Sequence, residues 1–453
     1  MPKSTKVAHP TADIDALFAT WDRTDAPGAA LAVIQNGEII YKRGYGMANL
    51  EYDVPITPST IFHVASLSKQ FTSFAINLLA LEGRLSLDDE IHAHFPEFGD
   101  FGKPITLRHL RHHSSGLRDQ WDLLQLAGWR MEDVITEQDI LDLAWKQQDL
   151  NFEPGAEHLY CNTGYTLLAV IVKRVSGMSL REFARERIFA PLGMTHTHFH
   201  DDHRMIVANR AYSYAPRDGA DGFEHRVLSF SNVGTTSLFT TVEDLAKWDA
   251  NFYEPVAGGA EAVAMLQERG VLNDGTTIGY AAGLAIVEYR GLRTVGHGGA
   301  DAGYRAHILR FPDERFTVIV LANRGDANPS AIAYRVADLY LADRLGPAPP
   351  EEAAQPAAEA KELSIDADQL AEYTGDYFSD ELTAIYTLRL QDGKLMLRSR
   401  KDEIRLQPTE FADHFTCDAG KISFLRTGSK RINGFTITTG RVRKLRFRKL
   451  SKL

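Results

Sequence analysis

The sequence predicts an α/β domain, with one sheet packed against a helical region, followed by a small all-β domain. Strand-like runs lie near the start of the chain and again after residue 280, with helical patterns between them. The distant runs are therefore expected to share one sheet, with the helices packed beside it. The 453 residues are enough for two or three domains with sizeable cores.

The first strands form a predicted hairpin. Strand-like runs at 29–33 and 38–41 flank Asn36-Gly37, and Asn-Gly is a strong hairpin-turn signal. Further strand-like runs occupy 281–289, 306–311 and 316–321. These later runs are the expected partners of the N-terminal hairpin.

A buried helix is predicted from Ser66 to Leu81. Its apolar residues follow helical spacing, and no charge occurs between Lys69 and Glu82. A helix that is hydrophobic nearly all round belongs in the middle of a domain. Helical patterns then dominate from about 105 to 189.

Three segments are predicted along the chain: a domain at 1–345, a linker at 346–362 and a second domain at 363–453. The linker is rich in Pro, Ala and Glu and has almost no large apolar residue. Beyond it, short strand-like runs with turn signals at Asp392-Gly393 and Asn433-Gly434 predict a small barrel or sandwich.

Composition narrows the class of protein. The N-terminus lacks a cationic start followed by an apolar stretch, and no run of about eighteen apolar residues occurs, so neither a secretory signal nor a membrane span is expected. Two distant cysteines, Cys161 and Cys417, are typical of a reducing compartment. We therefore predict a cytoplasmic protein.

Charge makes nucleic acid an improbable partner. The net charge is −10 although residues 421–453 carry eleven Lys and Arg and no acid, so the preceding residues carry −21. The basic end fits solvated strand faces better than a binding surface for an anionic partner.

The strongest chemical feature is Ser66-Leu67-Ser68-Lys69 at the start of the buried helix. Residues three apart share a helix face, so the Ser66 hydroxyl and the Lys69 amine can touch. Burial should lower the pKa of Lys69 enough to make it a usable base near neutral pH. The alternative is a capping serine followed by a lysine that snorkels to the surface.

Two further motifs follow in order. Tyr160-Cys161-Asn162 precedes an apolar run, and Gly296-His297-Gly298-Gly299-Ala300 lies just before a strand-like segment. Taken singly, Tyr160 could be a packed aromatic and His297 an ordinary loop histidine. Together with the Ser-x-x-Lys element they form an ordered set.

This set resembles the serine beta-lactamase and penicillin-binding-protein superfamily, in particular its class C beta-lactamase, D-aminopeptidase and esterase branch. The resemblance spans roughly residues 29 to 339. Other segments that carry it are Phe62-His63-Val64-Ala65, Leu85-Ser86-Leu87-Asp88-Asp89, Ile105-Thr106-Leu107-Arg108-His109-Leu110, His113-Ser114-Ser115-Gly116-Leu117, Pro191-Leu192-Gly193-Met194 and Thr241-Val242-Glu243-Asp244-Leu245-Ala246. It implies an antiparallel sheet flanked by helices.

The resemblance also implies roles for individual residues. Ser66 would attack a carbonyl carbon and form an acyl-enzyme, with Lys69 and Tyr160 as the base system. Asn162 would hold Lys69 and substrate, and the backbone N–H groups of Ser66 and Ala300 would form the oxyanion hole. His297, Gly298 and Gly299 would line the substrate site. Neither a cofactor nor a metal is implied.

Two features set expectations for the substrate. His-Gly-Gly replaces the Lys-Thr-Gly of many relatives, and a histidine is only partly charged at neutral pH. This replacement disfavours a dedicated beta-lactamase, which meets a carboxylate on its substrate. The C-terminal domain resembles the lipocalin-like barrel of some peptidases of the family, in which it restricts the cleft. Asn433-Gly434 or a neighbouring turn would be the restricting loop.

The leading hypothesis is therefore a serine hydrolase acting on a small-molecule or short-peptide substrate. D-aminopeptidase-like or D,D-peptidase-like and carboxylesterase-like activities rank first, and beta-lactamase activity ranks lower. A non-catalytic ligand sensor or scaffold on the same fold is the rival from another class. The sequence leaves a homo-oligomer open and indicates neither a nucleic-acid nor a membrane partner.

Two minor signals have ordinary explanations. Four histidines lie close together, and alternate positions on a strand could make them metal ligands. The family has a turn and strand here, which makes metal binding the weaker interpretation. They are His196, His198, His200 and His203. The terminal Ser451-Lys452-Leu453 matches a peroxisomal address, which chance can also produce.

Overall fold

The computed structural model describes residues 10–348, 366–400 and 402–451. Most of the predicted linker and the last two residues of the terminal tripeptide lie outside these ranges. Within the described ranges, no helix has the length and apolar character needed to cross a membrane.

The first domain is built on a six-stranded antiparallel sheet, which confirms the predicted fold class. Its strands, in spatial order, are Ala285–Tyr289, Leu292–Asp301, Tyr304–Phe311, Phe316–Ala322, Ala29–Gln35 and Glu38–Tyr45. The N-terminal hairpin therefore pairs with the last strand of the domain, as predicted.

Local sequence explains the two central strands and their turn. Phe316–Ala322 is buried at every position, and Ala29–Gln35 at every position but the last. Strands that are covered on both faces have continuous apolar sequences, as these two do. Asn36 and Gly37 have φ of 54° and 84°, the positive values that a tight hairpin turn needs.

Helices cover both faces of the sheet and form the helical region. The helix Ser68–Leu81 lies in the core, against Asn162–Ser176 and Gly259–Leu266. The other helices of this domain are Thr11–Phe18, Ile91–His94, Leu107–Arg111, Gln120–Leu126, Glu137–Trp145, Leu180–Ala184, Val242–Ala250 and Pro329–Tyr340, with a π-helical turn at Arg185–Phe189 and a 3-10 turn at Pro312–Glu314.

Short strands complete the domain, and one predicted strand boundary was wrong. Residues 281–284 precede the strand Ala285–Tyr289 instead of belonging to it. Residues 296–300 precede the strand Tyr304–Phe311 as predicted, and they themselves belong to the strand Leu292–Asp301, since they pair with 305–309. The short strands are Met47–Asn49, Val54–Pro55, Phe62–His63, His198–Phe199, Tyr214–Pro216, Phe223–His225 and Leu238–Thr240.

The C-terminal part is a nearly closed nine-stranded barrel preceded by the helix Ala367–Ala371. Its two terminal strands in spatial order are separated by one residue, Leu406, which brings the edges together. The strands are Gly375–Ser379, Ala384–Gln391, Lys394–Arg398, Glu403–Arg405, Gln407–Pro408, His414–Cys417, Gly420–Arg426, Ile432–Thr439 and Val442–Lys449.

One hydrophobic cluster joins the barrel to the first domain. It combines residues of the helix Gln120–Leu126 with side chains from the barrel strands. The Tyr386 hydroxyl also donates a hydrogen bond to the Leu126 carbonyl at 2.7 Å. A buried ion pair between Arg118 and Glu381, 2.5 Å apart, adds a charged contact. The barrel is thus packed directly against the helical region.

Candidate active site

Ser66 lies in a tight turn that follows the short strand Phe62–His63, two residues before the first residue of the core helix. The structure shows a 3-10 turn at Ala65–Leu67 and starts the α-helix at Ser68, two residues later than predicted. Ala65 has a φ of 47°, which an α-helix does not accommodate. Its N–H donates to Nδ1 of His63 at 3.2 Å. This strained conformation, of a kind concentrated at active sites, fixes the backbone beside Ser66.

Lys69 is fully buried and meets three oxygen atoms. Its Nζ lies 2.9 Å from Ser66 Oγ, 2.9 Å from Asn162 Oδ1 and 2.8 Å from the Thr235 carbonyl oxygen. The predicted meeting of Ser66, Lys69 and Asn162 is therefore present.

These partners determine how a neutral Lys69 would be oriented. The Asn162 and Thr235 oxygens carry no hydrogen, so each must accept one of the two amine N–H groups. The lone pair of the nitrogen then faces Ser66, whose hydroxyl can donate. The neutral amine is thus arranged to receive a proton from Ser66.

Burial supplies that neutral form. Loss of hydration lowers the pKa of Lys69 to about 7, although the carboxylates of Asp301 and Asp119 oppose the shift. Arg441 lowers the pKa further, because its positive charge disfavours a second cation nearby. A large fraction of Lys69 is therefore unprotonated at neutral pH.

Tyr160 lies against the same lysine. Its ring centroid is 4.8 Å from Lys69 Nζ, and its buried hydroxyl has no hydrogen-bond partner among the described residues. Burial raises the pKa of Tyr160 well above its ordinary value, and the nearby Ser66 hydroxyl lowers it only in part. Tyr160 is therefore a phenol at neutral pH, able to give a proton but not to take one.

Asn162 is held in one orientation by partners on both sides. Its Oδ1 accepts from Lys69 and from the Thr235 hydroxyl at 2.6 Å. Its Nδ2 donates to Asp119 Oδ2 at 2.8 Å, and its backbone N–H donates to the same oxygen at 2.6 Å. A carboxylate only accepts, so the Asn162 oxygen must point to Lys69.

His297 is neutral in this site. Burial, followed by the charge of Lys69, lowers the pKa of His297 to about 3. Its Nδ1 lies 2.5 Å from the Gly298 carbonyl oxygen and therefore carries the proton, which leaves Nε2 to accept from the Tyr280 hydroxyl at 3.0 Å. The position thus offers a substrate no cation.

Gly299, the second glycine after His297, lets this strand approach the nucleophile turn. A Cβ on Gly299 would lie 2.2 Å from the Val64 carbonyl oxygen, so no larger residue fits without movement. A Cβ on Gly298 would make ordinary contacts, 3.5 Å from His307 Nδ1 and 3.7 Å from the Ala306 carbonyl oxygen. The strand Leu292–Asp301 therefore packs against the turn that carries Ser66. The oxyanion hole of Ser66 and Ala300 stays a prediction.

Of the two predicted alternatives, Asn433-Gly434 or a neighbouring turn, it is a neighbouring turn of the barrel that reaches the site. Asn433-Gly434 lies inside the strand Ile432–Thr439, paired with neighbouring strands. The neighbouring turn at Gly440-Arg441 enters instead, and the Arg441 guanidinium lies 3.1 Å from Asp119 Oδ1 and 5.8 Å from the Tyr160 ring centroid. Asn-Gly forms no turn here because the strand continues through it with a bulge-like irregularity: Leu425 faces Gly434 and Arg426 faces Ile432, so the pairing skips Asn433.

The histidine cluster lies apart from this site. His198 and His200 contact each other, with ring nitrogens 3.5 Å apart, while His203 bonds Ser231. Burial lowers the pKa of both His198 and His200 to about 4. No group of three His, Cys, Asp or Glu residues in the described ranges is placed to hold a metal ion.

Sequence reasoning missed four residues of the site: Asp119, Thr235, Tyr280 and Arg441. Asp119 follows the Ser114–Leu117 signpost by two residues, which was the available signal. Thr235 and Tyr280 lie in loops without a recognisable pattern, and Arg441 is one of many arginines in the basic end. Only the three-dimensional contacts distinguish Thr235, Tyr280 and Arg441.

Comparison with known proteins places this geometry in a family. The family model described as Beta-lactamase matches residues 14–343. Penicillin-binding protein 4* of Bacillus subtilis (strain 168) is 29% identical over 387 residues, 82% of this chain and 84% of that protein. D-aminopeptidase of Gluconobacter oxydans (strain 621H) is 32% identical over 342 residues, 74% of this chain but 62% of that protein, less than two thirds of its length.

Solved structures share the fold. The octameric penicillin-binding protein homologue from Pyrococcus abyssi aligns with a TM-score of 0.65 at 24% identity, over 97% of this chain and 100% of that one. D-amino acid amidase from Ochrobactrum anthropi SV3 aligns with a TM-score of 0.61 at 22% identity, over 73% of this chain and 100% of that one. With the family model matching well over half of its length, the chain belongs to the beta-lactamase family.

Proposed function

We propose that this serine hydrolase cleaves amide bonds of small D-amino-acid derivatives or short peptides through an acyl-Ser66 intermediate. The observation that carries the proposal is the orientation of Lys69, whose two carbonyl partners leave its lone pair for the Ser66 hydroxyl. A base placed in this way activates a serine nucleophile.

The chemistry follows from these contacts. Lys69 Nζ takes the Ser66 proton as Oγ bonds to the substrate carbonyl carbon. The Tyr160 O–H gives its proton to the leaving nitrogen as the C–N bond breaks, and the Lys69 ammonium restores that proton. In deacylation the neutral Lys69 takes a proton from water as the water oxygen bonds to the acyl carbon, and Lys69 returns that proton to Ser66 Oγ as the ester C–O bond breaks. This step releases the carboxylic acid and regenerates Ser66. The Ser66 and Ala300 N–H groups would stabilise the oxyanion formed in each step.

The substrate class rests on the neutral His297 and on the relatives. A neutral imidazole donates or accepts hydrogen bonds but does not attract the carboxylate that penicillins carry. Two relatives are named D-aminopeptidase and D-amino acid amidase. We therefore place D-amino-acid amides before esters, and esters before beta-lactams.

A substrate panel tests the proposal. D-alanine p-nitroanilide, its L enantiomer, p-nitrophenyl acetate and a chromogenic cephalosporin are compared at pH 8. We expect the D-anilide to give the highest kcat/KM and a fluorophosphonate probe to add one label at Ser66. Ser66→Ala should abolish both turnover and labelling.

Other outcomes would contradict parts of the proposal. Equal labelling of Ser66→Ala would remove the nucleophile assignment. A preference for the acetate or the cephalosporin would replace the substrate class. Absence of both turnover and labelling would favour a non-catalytic sensor on this fold.

A further inference from the structure

Arg441 links the barrel to the charged interior of the active site. Its guanidinium contacts Asp119 Oδ1 at 3.1 Å and Asp122 Oδ2 at 3.6 Å. Its backbone N–H donates to Asp122 at 2.6 Å, and its carbonyl accepts from Asn151 Nδ2 at 2.8 Å. Both the backbone and the side chain of Arg441 are therefore fixed against the first domain.

Asp119 is the fully buried carboxylate that receives this cation. Four N–H donors converge on it: the backbone N–H of Asn162 at 2.6 Å, Asn162 Nδ2 at 2.8 Å, the Trp121 N–H at 3.0 Å and Arg441 Nη2. Burial raises the pKa of Asp119, whereas Arg441 lowers it. Donors on both oxygens favour the anion.

The chain of contacts continues to the base. Asp119 fixes the Asn162 amide, and the Asn162 oxygen then accepts from Lys69 Nζ. We propose that Arg441, a residue of the barrel, is a positioning residue for the catalytic step. Through Asp119 and Asn162 it orients Lys69, and its charge sets the proton affinity of that base. This inference rests on the proposed function, in which Lys69 must be neutral to take the Ser66 proton.

The charged and titratable groups around Lys69 determine whether its pKa is raised or lowered. The anion of Asp119 favours the ammonium, and Arg441 disfavours it. Asp301 also favours the ammonium once it ionises, since burial raises the pKa of Asp301 to about 6. Around the same nitrogen lie the Tyr160 and Tyr165 rings and the Ser66 hydroxyl. Nearby, His113, His297 and the Cys161 thiol are held uncharged by burial.

Arg441 and Asp119 therefore act on Lys69 with opposite signs. Removing the Arg441 cation raises the Lys69 pKa, so the pH at which the base becomes neutral moves up. Removing the Asp119 anion lowers the Lys69 pKa, so that pH moves down. Asp119 keeps its three N–H donors from Asn162 and Trp121 when Arg441 is replaced, and these donors favour its anion.

The experiment measures the second-order rate of Ser66 labelling by a fluorophosphonate between pH 5 and 9. This probe has no group that titrates in that range. The wild-type rate should rise with pH through a midpoint near 7. We expect Arg441→Gln to move the midpoint up and Asp119→Asn to move it down, each by about 0.5 to 1 pH unit. Arg441→Lys, which keeps the charge, should restore the wild-type midpoint.

A matched control separates a charge effect from damage to the barrel. Arg443→Gln removes the same charge two residues away, where the guanidinium pairs with the half-exposed Glu157, and it should leave the midpoint unchanged. Unmoved midpoints in both test variants, or a shift in the same direction, would overturn the inference. Asp119→Asn leaves Arg441 intact, so it tests the inference even if Arg441→Gln folds poorly.

The same series distinguishes this inference from the proposed function. If wild type is not labelled at Ser66, the proposed function fails. If wild type is labelled with an acid limb near pH 7 but the paired variants do not shift it, only the role of Arg441 fails.

Discussion

The active site has two faces of different construction. One face, formed by Ser66, Lys69, Asn162 and Thr235, belongs to the first domain and is joined by direct contacts of 2.6–2.9 Å. The other face consists of Asp119 and, from the barrel, Arg441. Asp119 contacts Asn162 directly, and Arg441 contacts Asp119.

The two faces are positioned by different kinds of contact. Ser66 and Lys69 are placed by a turn and a helix packed in the main core, so their geometry follows from local structure. Arg441 is placed by contacts across the boundary between the two domains. We expect changes on the first face to affect chemistry most strongly, and changes at the boundary to affect stability or the proton affinity of the base.

The largest effect is expected at Lys69. Lys69→Met removes the base but keeps an unbranched side chain, and should reduce the rate of Ser66 labelling on the order of 10³-fold. Lys247→Met is the control, because Lys247 is half exposed and pairs with Asp244 away from the site. Similar losses in both variants would show that Lys69 acts only through folding.

The domain boundary should respond next, in stability. Glu381→Gln leaves the buried Arg118 guanidinium without its counter-ion and should lower the free energy of unfolding by about 3 kcal/mol. The neighbouring Asp380 pairs with Arg448 on the exposed surface, so Asp380→Asn should lower the free energy of unfolding by less than about 1 kcal/mol. Urea unfolding followed by fluorescence measures both. Equal costs would mean that the buried pair does not stabilise the boundary.

The smallest effect is expected at Thr235. Thr235→Val keeps the shape of the side chain but removes one hydrogen bond to the Asn162 oxygen, which is worth about 1 kcal/mol, or about a fivefold loss in labelling rate. Thr235→Ser retains a hydroxyl and should recover most of the rate. If serine does not rescue the valine variant, the hydroxyl is not what orients Asn162.

Much of the first face could be predicted from sequence because its residues lie in short motifs. The spacing of Ser66 and Lys69 survives even though the helix starts at Ser68, since the 3-10 turn and the first helical turn still place both side chains together. The family match confirms the fold expected from those motifs. The roles assigned to Ser66, Lys69 and Tyr160 stay predictions.

The second face could not be predicted in the same way. Arg441 lies 322 positions after Asp119, and no local pattern distinguishes it from Arg443 or its other cationic neighbours. His297 was expected to be partly charged, but its burial depends on packing around Tyr280 and Lys69 that the sequence does not display. Asn433-Gly434 was assigned to a turn on a dipeptide signal that pairing between strands overrode.

The shared hydrophobic cluster has a consequence for biosynthesis. The helix Gln120–Leu126 leaves the ribosome hundreds of residues before the barrel strands that cover its apolar side chains. Nascent chains fold domain by domain from the N-terminus, and uncovered apolar surface promotes aggregation. The apolar side chains of this helix are therefore exposed until the barrel has been synthesised. A gene shortened before the barrel would encode a protein in which they stay exposed.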